Sequence, residues 1–300
     1  MVIDLETTEI QKSSCSRMDM LNGPVWNKII RYALPVAATG VLEQLFNASD
    51  IAIVGNFAGD VKTIAVAAIG ATSPIIGLLL YFFIGIALGS NVVIATAIGR
   101  KDEATVHKAV HTSIIMSIAG GLLVTIFGEI FIGNLLHALN VPEDVLPYAL
   151  LYIRIYLLGM PAILLYNFEA AIFRSIGETK MPLKALAMSG VLNVLLNLFF
   201  VIVLDMTVNG VAIATVIANV VSSTLLLIRL IRSDQVIRIK RQELRFSSRI
   251  FRDIIKIGLP AGIQSAVFSV ANIIIQSAIN SLGTLVIAAS SAAFTAEKSI

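Results

Sequence analysis

The sequence predicts an all-α membrane protein, a polytopic helical bundle, on three observations. Hydrophobic residues make up 57% of the 300 residues, charged residues make up only 14%, and the mean hydropathy is +0.89. A soluble domain carries about 25% charged residues, and a folded domain of this size cannot hide such an apolar surplus from water. Apolar stretches long enough to cross a bilayer recur along the chain. The single cysteine, Cys15, excludes an intrachain disulfide.

The elements follow in order from the apolar stretches. The first 27 residues are polar and lack the features of a signal peptide, which predicts a flexible arm. After the arm we expect seven membrane spans and the start of an eighth, near 28–56, 64–98, 109–136, 147–176, 182–204, 210–231, 250–281 and 284–300. Pro35, Pro74 and Pro161 lie inside these spans, where neighbouring groups must satisfy the lost backbone bonds.

Basic residues predict the orientation of the bundle. If the amino terminus is inside, the outer loops contain Lys62 as their only lysine or arginine, and the inner segments contain the rest of the basic residues outside the spans. This asymmetry predicts a multi-pass protein of a bacterial-type inner cell membrane with a cytoplasmic amino terminus. The same distribution argues against nucleic-acid binding, which needs basic residues clustered on one folded surface.

A self-match at an offset of 225 residues predicts an internal repeat. The segment Ile29-Ile30-Arg31…Leu34-Pro35 returns as Ile254-Ile255-Lys256…Leu259-Pro260, and Asn47 returns as Asn272. Both copies open an odd-numbered span, so the repeat is parallel, as in transporters that open alternately to either side. Chance similarity between apolar helices is the alternative.

The repeat divides the chain into four expected parts. These are a polar cytoplasmic arm (1–27), a six-helix lobe (28–231), a basic cytoplasmic linker (232–249) and the start of a second lobe (250–300). Because residues 293–298 have a mid-helix composition, we expect the sequence to be a fragment of a longer two-lobe protein.

Three polar residues share a stripe of the first span. Glu43, Asn47 and Asp50 are spaced by four and three, so one helix face is expected to present two carboxyls and an amide. A buried acid is costly in a membrane and is a functional candidate by default. The stripe suits reversible proton uptake or sodium ligation, and a solvated cavity lining or an interhelical hydrogen bond is the structural alternative.

Four segments together resemble the multidrug and toxic compound extrusion (MATE) family of cation-coupled antiporters. They are Leu34-Pro35…Asn47-Ala48-Ser49-Asp50 in the first span, Phe173-Arg174-Ser175-Ile176-Gly177-Glu178 after the fourth, Leu192-Asn193-Val194-Leu195-Leu196-Asn197 in the fifth, and Asn209-Gly210-Val211-Ala212-Ile213-Ala214-Thr215 in the sixth. The resemblance covers residues 26–300. It implies two six-helix lobes around a central cavity, of which this chain supplies the first lobe and the seventh helix.

The resemblance also implies a cation or substrate site in the first lobe. Asp50 matches the family's first-helix acid, Asn193 the fifth-helix amide, and Thr215 the sixth-helix hydroxyl, while Tyr152 occupies a plausible aromatic position in the fourth helix. Asn197 stands where many members carry aspartate, which puts a direct proton relay through that helix in doubt. Phe268 stands where sodium-coupled relatives often carry an acid, so a cation site of that type in the second lobe is not expected.

Other polar residues and glycines are expected to be structural. We expect Glu169 to pair with Arg174 or a neighbouring helix, and Gly85, Gly89 and Gly99 to allow close helix packing. Glu103, His107 and His111 are spaced by fours as metal ligands can be, but ordinary solvation at the membrane rim is favoured, so no metal site is expected.

The sequence therefore favours a secondary active antiporter that exports amphipathic, cationic organic compounds in exchange for protons or sodium. The alternative is a flippase for lipid-linked oligosaccharides, which would prefer a strongly basic cavity. A membrane-embedded enzyme is not expected, since no catalytic constellation is recognisable, and an ATP-driven pump would need its nucleotide domain on another chain. We expect no cofactor besides the coupling ion. The expected partners are small-molecule substrates and the lipid bilayer, but not nucleic acid. At full length the transporter is expected to be a monomer.

The orientation gives a first testable prediction. The inner segment from Arg229 to Lys256 is rich in basic residues, which makes it costly to translocate. A Ser247→Cys substitution in a variant that lacks Cys15 should therefore resist an impermeant thiol reagent added outside intact cells, and react after permeabilisation. Ready labelling from outside would reverse the orientation.

Overall fold

The computed structural model describes residues 25–239 and 245–299, which form α-helices and short connections without a strand. The helices of this part of the chain are α1 (Val25–Phe57), α2 (Lys62–Gly99), α3 (Glu103–Ala138), α4 (Leu146–Leu158), α5 (Met160–Ser175), α6 (Lys180–Leu198), α7 (Val208–Ile231), α8 (Ser248–Asn280) and α9 (Thr284–Ser299). Residues 1–24 of the expected arm and 240–244 of the expected linker lie outside the described residues.

Most of the predicted spans are found as helices able to cross a membrane. By length and composition, five described segments qualify: α2, α3, α6 with its continuation to Val203, α7 and α8. The pair α4 and α5 adds a sixth if the bent pair is one span. The predicted first span is a helix, but α1 is less apolar because Glu43, Gln44, Asn47 and Asp50 fall within eight residues of one another. The apolar part described for α9, Thr284–Phe294, is shorter than a span.

The predicted fourth span is broken rather than continuous. The axes of α4 and α5 differ by 51°, and the break falls at Gly159. Pro161 was expected inside a span, but it occupies the first turn of α5, where a missing N–H group breaks no helical hydrogen bond. Two boundaries also differ slightly from the expected domain limits, because α1 begins at Val25 and α8 begins at Ser248.

The π-helical turn at the end of α6 is a second irregularity. Residues Phe199–Val203 continue α6 directly after Asn197 and Leu198. Such turns add one residue to the helical register and often occur beside functional sites.

The exterior of the bundle is apolar, as lipid contact requires. On α3, Ile126, Phe127, Ile130 and Phe131 recur on one helix face and are each more than half exposed. Contiguous exposed apolar surface of this kind marks contact with a membrane or a partner. The buried apolar residues form two clusters: one contains Ile53, Val54, Ile132, Leu136 and Ile153, and the other contains Ile94, Val106, Phe173, Leu230 and Ile254.

The helices alternate in direction, which gives the bundle two ends. The connections 100–102 and 176–179 and the described residues 232–239 and 245–247 lie at one end, which we call the basic end. At the opposite end, the α8–α9 turn contacts the α3–α4 loop: Asn280 Nδ2 donates to Leu139 O at 2.9 Å, and Thr284 Oγ1 donates to Asp144 Oδ2 at 2.7 Å. The first helix pair of the expected second lobe thus packs against the first six spans.

Four glycines bring α2 and α8 into backbone contact. A Cβ atom on Gly85 would lie 2.3 Å from Gly262 Cα, and one on Gly89 would lie 2.3 Å from Ile254 O. A Cβ atom on Gly258 would lie 2.7 Å from Ile86 Cα. We call this contact the glycine seam. The close-packing prediction is confirmed for Gly85 and Gly89 and is wrong for Gly99, which has nothing within 4 Å because it lies at the end of α2.

The glycine seam predicts a large effect of a single methyl group. Gly85→Ala should lower the free energy of unfolding by about 1–3 kcal/mol, because neither backbone can yield without separating the helices. The matched control is Gly133→Ala in α3, where nothing lies within 4 Å of the added atom. Thermal unfolding of the purified protein in detergent should show a loss for Gly85→Ala alone. Equal stability of the two variants would contradict the seam.

Candidate cation site

Three helices position the buried polar residues of the candidate site. Asp50 lies on α1, Asn193 and Asn197 lie one turn apart on α6, and Thr215 lies on α7. These helices pack side by side, since α6 contacts both α1 and α7. Asp50 is 5% exposed, Asn193 is 4% exposed and Asn197 is fully buried.

Hydrogen bonds join these four side chains into a ring. Asn197 Nδ2 donates to Asp50 Oδ1 at 2.5 Å and to Asn193 Oδ1 at 3.3 Å. Asn193 Nδ2 donates to Thr215 Oγ1 at 3.3 Å, and Thr215 Oγ1 lies 3.3 Å from Asp50 Oδ2. The ring therefore begins and ends on the two oxygens of one carboxyl group.

The ring leaves one acceptor unused and one donor shared. Asn197 uses both N–H groups of its amide, while its Oδ1 is buried and has no hydrogen-bond partner among the described residues. The Thr215 hydroxyl has one proton, but it lies 2.9 Å from Val211 O as well as 3.3 Å from Asp50 Oδ2. A buried acceptor without a donor is costly, so the ring is poised to accept one more positive group.

The atoms of the ring suit a hard cation or a proton. The ring contains one carboxyl, two amide oxygens and a hydroxyl, and such oxygen ligands are those that hard cations prefer. A proton would instead neutralise the carboxyl and turn it into a donor. Among the residues that the structure describes, no three His, Cys, Asp or Glu side chains are grouped closely enough to hold a metal ion.

Tyr152 lies near the ring without joining it. The side chain is 5% exposed on α4, and its phenol is within electrostatic range of Asp50. Its ring centroid lies 6.2 Å from that of Tyr156, which is also within electrostatic range of Asp50. Both tyrosines lie on α4 and are close enough to Asp50 to interact with its charge.

The structure separates the stripe predicted on the first span. Asp50 is buried, Glu43 is partly buried and Asn47 is exposed, and neither Glu43 nor Asn47 contributes a hydrogen bond to the ring. Asn47 is rotated by about 60° from Asp50 around the helix axis, which turns it away from α6. Glu43 lies about two turns from Asp50, within electrostatic range of Arg174 and Tyr156 instead.

Two expectations about other polar residues are wrong. Glu169 is fully buried, and neither carboxyl oxygen has a hydrogen-bond partner among the described residues, so it does not pair with Arg174. Five residues of α-helix place these two side chains about 140° apart. His111, expected to be solvated, is only 2% exposed in the interior of the bundle.

Sequence reasoning missed Asn219, which lies one turn after Thr215 on α7 and bonds to the backbone of that residue. Asn219 Nδ2 donates to the carbonyl oxygen of Thr215 at 2.8 Å. Its position four residues after Thr215 on the same helix was the available signal. Tyr156 was also missed, although its spacing of four from Tyr152 places both on one face of α4.

Comparisons with known proteins agree with this architecture. A family model described as MatE matches residues 35–199, more than half of the chain. The chain is similar to the probable multidrug resistance protein YoeA of Bacillus subtilis (strain 168), with 28% identity over 269 residues, covering 87% of this chain and 57% of that protein. The multidrug export protein MepA of Staphylococcus saprophyticus is 25% identical over 264 residues, covering 88% of this chain and 58% of that protein.

A solved structure shows the same fold. It is described as the inward-facing conformation of a multidrug resistance MATE family transporter of the MOP superfamily, and it matches with a TM-score of 0.76 at 24% identity. The match covers 89% of this chain and 60% of that one, so the chain spans less than two thirds of the length of this transporter and of the two curated relatives. With the family model covering α1 to α6 and the helices folded as in a solved member, the chain belongs to the MatE family of multidrug and toxic compound extrusion proteins.

Proposed function

We propose that the intact protein is a secondary active antiporter that exports amphipathic, cationic organic compounds in exchange for H⁺ or Na⁺. It works as a monomer in the cell membrane, with its amino terminus in the cytoplasm. The names of the relatives, a probable multidrug resistance protein and a multidrug export protein, support this class of substrate. The neutral and acidic side chains of the ring favour export of cations over a carrier of anionic lipid-linked sugars.

The observation that carries the proposal is the Asp50 ring. The carboxyl group of Asp50 is buried within the membrane-spanning bundle and is held by donors from two other helices. An intramembrane acid is retained at a cost and marks an ion pathway by default. Because all three helices contribute, a change in the charge of Asp50 alters the packing of α1 against α6 and α7.

Either coupling ion can rearrange the ring. A sodium ion needs several oxygen ligands, and the unused Oδ1 of Asn197 can join the oxygens of Asp50 and Thr215 around it. A proton on Asp50 Oδ1 makes that oxygen a donor, and the Asn197 amide then accepts from it by turning its unused Oδ1 toward the carboxyl. Sodium ligation by Asn197 Oδ1 and protonation of Asp50 Oδ1 each replace the present bond from Asn197 Nδ2 to Asp50 Oδ1, which joins α1 to α6.

Removal of the charge of Asp50 should abolish coupling. Asp50→Asn keeps the shape and hydrogen-bonding capacity of the side chain, but it cannot exchange a proton or supply a full negative charge. We expect normal membrane insertion and a drop of at least about tenfold in gradient-driven efflux, equivalent to about 1.4 kcal/mol. The measurement is drug efflux from vesicles of the intact protein at matched expression, under an imposed pH gradient and, separately, an imposed Na⁺ gradient.

The matched control is the same substitution at an exposed acid. Asp205 lies in the α6–α7 connection with φ of 54°, a conformation that asparagine adopts readily. Asp205→Asn should therefore leave efflux unchanged. Wild-type efflux in the Asp50 variant under both gradients would show that this acid is only structural and would overturn the assignment of the site.

Glu43→Gln should have a smaller effect than Asp50→Asn. The ring contains no atom of Glu43, which lies among Tyr81, Tyr156 and Arg174 instead. We expect efflux to be retained within about threefold, with an unchanged preference for the pH or Na⁺ gradient. An equal loss in both variants would mean that the two carboxyls titrate as a pair.

A further inference from the structure

A cavity at the basic end has features that transport does not account for. It lies between the last turns of α2, the first turns of α3 and the first turns of α8, and its volume is about 490 Å³. This size is typical of a site for a small molecule. The cavity is separate from the Asp50 ring, and none of the ring residues lines it.

Four cationic side chains from three helices line this cavity. Arg100 comes from the end of α2, Lys108 from α3, and Arg249 and Lys256 from α8. In the part of the chain that the structure describes, the single ion pair joins Arg154 to Glu129, so none of the four cavity cations is paired with a carboxylate. Convergence of unpaired cations on one cavity favours an anionic ligand.

Two carboxyl groups also line the cavity and leave it with a net positive charge. They belong to Asp102 and Asp253. Thr105 donates to Asp102 through its hydroxyl at 2.6 Å and its N–H at 3.0 Å, and these bonds, with a smaller contribution from the charges of Lys108 and Arg100, hold the pKa of Asp102 below its usual value. Asp102 is thus engaged as the N-cap of α3, and four cations face two acids.

The first turn of α8 adds a second source of positive potential. Arg249 and Ile250 of this turn line the cavity, the N-cap Ser247 makes no side-chain cap, and no acidic residue occupies the turn. The N–H groups of a first helical turn have no partner within the helix. They and the helix dipole favour an anion at this position.

The remaining lining consists of small polar residues and of apolar side chains from α2 and α8. Val93 precedes Arg100 by two turns on α2, and Ile257 follows Arg249 by two turns on α8. The cavity therefore combines cationic side chains with apolar side chains, and Lys256 lies beside Ile257 on α8. Free inorganic phosphate can contact only the cationic side chains, whereas a phospholipid can contact both kinds.

We propose that this cavity binds an anionic phospholipid, with the headgroup phosphate among Arg100, Lys108, Arg249 and Lys256 and the acyl region along Val93 and Ile257. Polybasic sites next to the membrane recognise anionic headgroups in this way. A lipid bound here contacts α2 and α3 of the first lobe and α8 of the repeat, beside the glycine seam. It holds the basic ends of these helices together, and this role is independent of the proposed antiport.

The test compares lipids on the purified protein in neutral detergent. Thermal unfolding is followed while phosphatidylglycerol, phosphatidylcholine or inorganic phosphate is titrated, and native mass spectrometry counts the retained lipid. The cavity variant is Arg100→Gln/Arg249→Gln/Lys256→Gln. The control variant is Lys184→Gln/Arg229→Gln/Arg232→Gln, which removes the same charge from exposed positions at the basic end outside the cavity.

We expect phosphatidylglycerol to raise the unfolding temperature of the wild type and of the control variant. The apparent affinity of phosphatidylglycerol for the cavity variant should be at least about tenfold lower than for the wild type. Phosphatidylcholine should have little effect. Equal loss in both variants would show a general charge effect, and an equal response to inorganic phosphate would show a free-anion site; either result overturns the proposal. If the triple variant does not fold, the single substitutions of exposed Arg249 and Lys256 provide the same comparison.

Discussion

In lipid, every backbone N–H and C=O group must find its partner within the protein, and most of this structure follows from that requirement. The described residues are helical almost throughout because a helix satisfies its own backbone. Small hydroxyl residues obey the same rule locally: Thr72 donates to Ala68 O at 3.0 Å, and Ser113 donates to Ala109 O at 2.8 Å. Each hydroxyl is thereby satisfied without help from a neighbouring helix, and the helix exterior is left apolar.

The Asp50 ring is the place where side chains satisfy one another across helices. Asp50 on α1 lies 147 residues before Asn197 on α6 and 165 residues before Thr215 on α7, so the bonds between them depend on how the three helices pack. In a low-dielectric interior such networks are strong when complete and costly when one partner is missing. The unused Oδ1 of Asn197 is therefore significant, since it is the acceptor that the ring leaves without a hydrogen bond among the described residues.

The sequence predicted the helices well and the contacts between them less well. Long apolar stretches placed α2, α3, α6, α7 and α8, because a span in lipid depends mainly on local composition. The break at Gly159 was not predicted. From the sequence alone, a proline in the first turn of a new helix, as Pro161 is, cannot be distinguished from a proline inside a continuous helix. Gly99 was assigned to packing for a similar reason: the sequence does not show whether a partner helix extends that far.

The members of the candidate site were grouped by family resemblance, and their geometry needed the structure. Spacing alone placed Glu43, Asn47 and Asp50 on one stripe, but only Asp50 reaches α6 and α7, because the neighbours of α1 differ along its length. Glu169 was expected to pair with Arg174 or with a neighbouring helix, yet neither of its carboxyl oxygens has a hydrogen-bond partner among the described residues. Sequence spacing on one helix does not show which side chains of the neighbouring helices come within reach.

The glycine seam restricts how α2 and α8 can move relative to each other. Their backbones are in contact at Gly85 and Gly262 and again near Gly89 and Gly258, because none of these residues has a side chain to separate the two helices. A slide by a single residue, about 1.5 Å, would push the side chain of Phe82 or Ile86 into the opposite backbone, so shear along the seam is blocked. Tilting about the contact needs no such collision. The glycine seam therefore acts as a fixed point about which the two helices can tilt. Large displacements of either helix then occur at the helix ends and not at the seam.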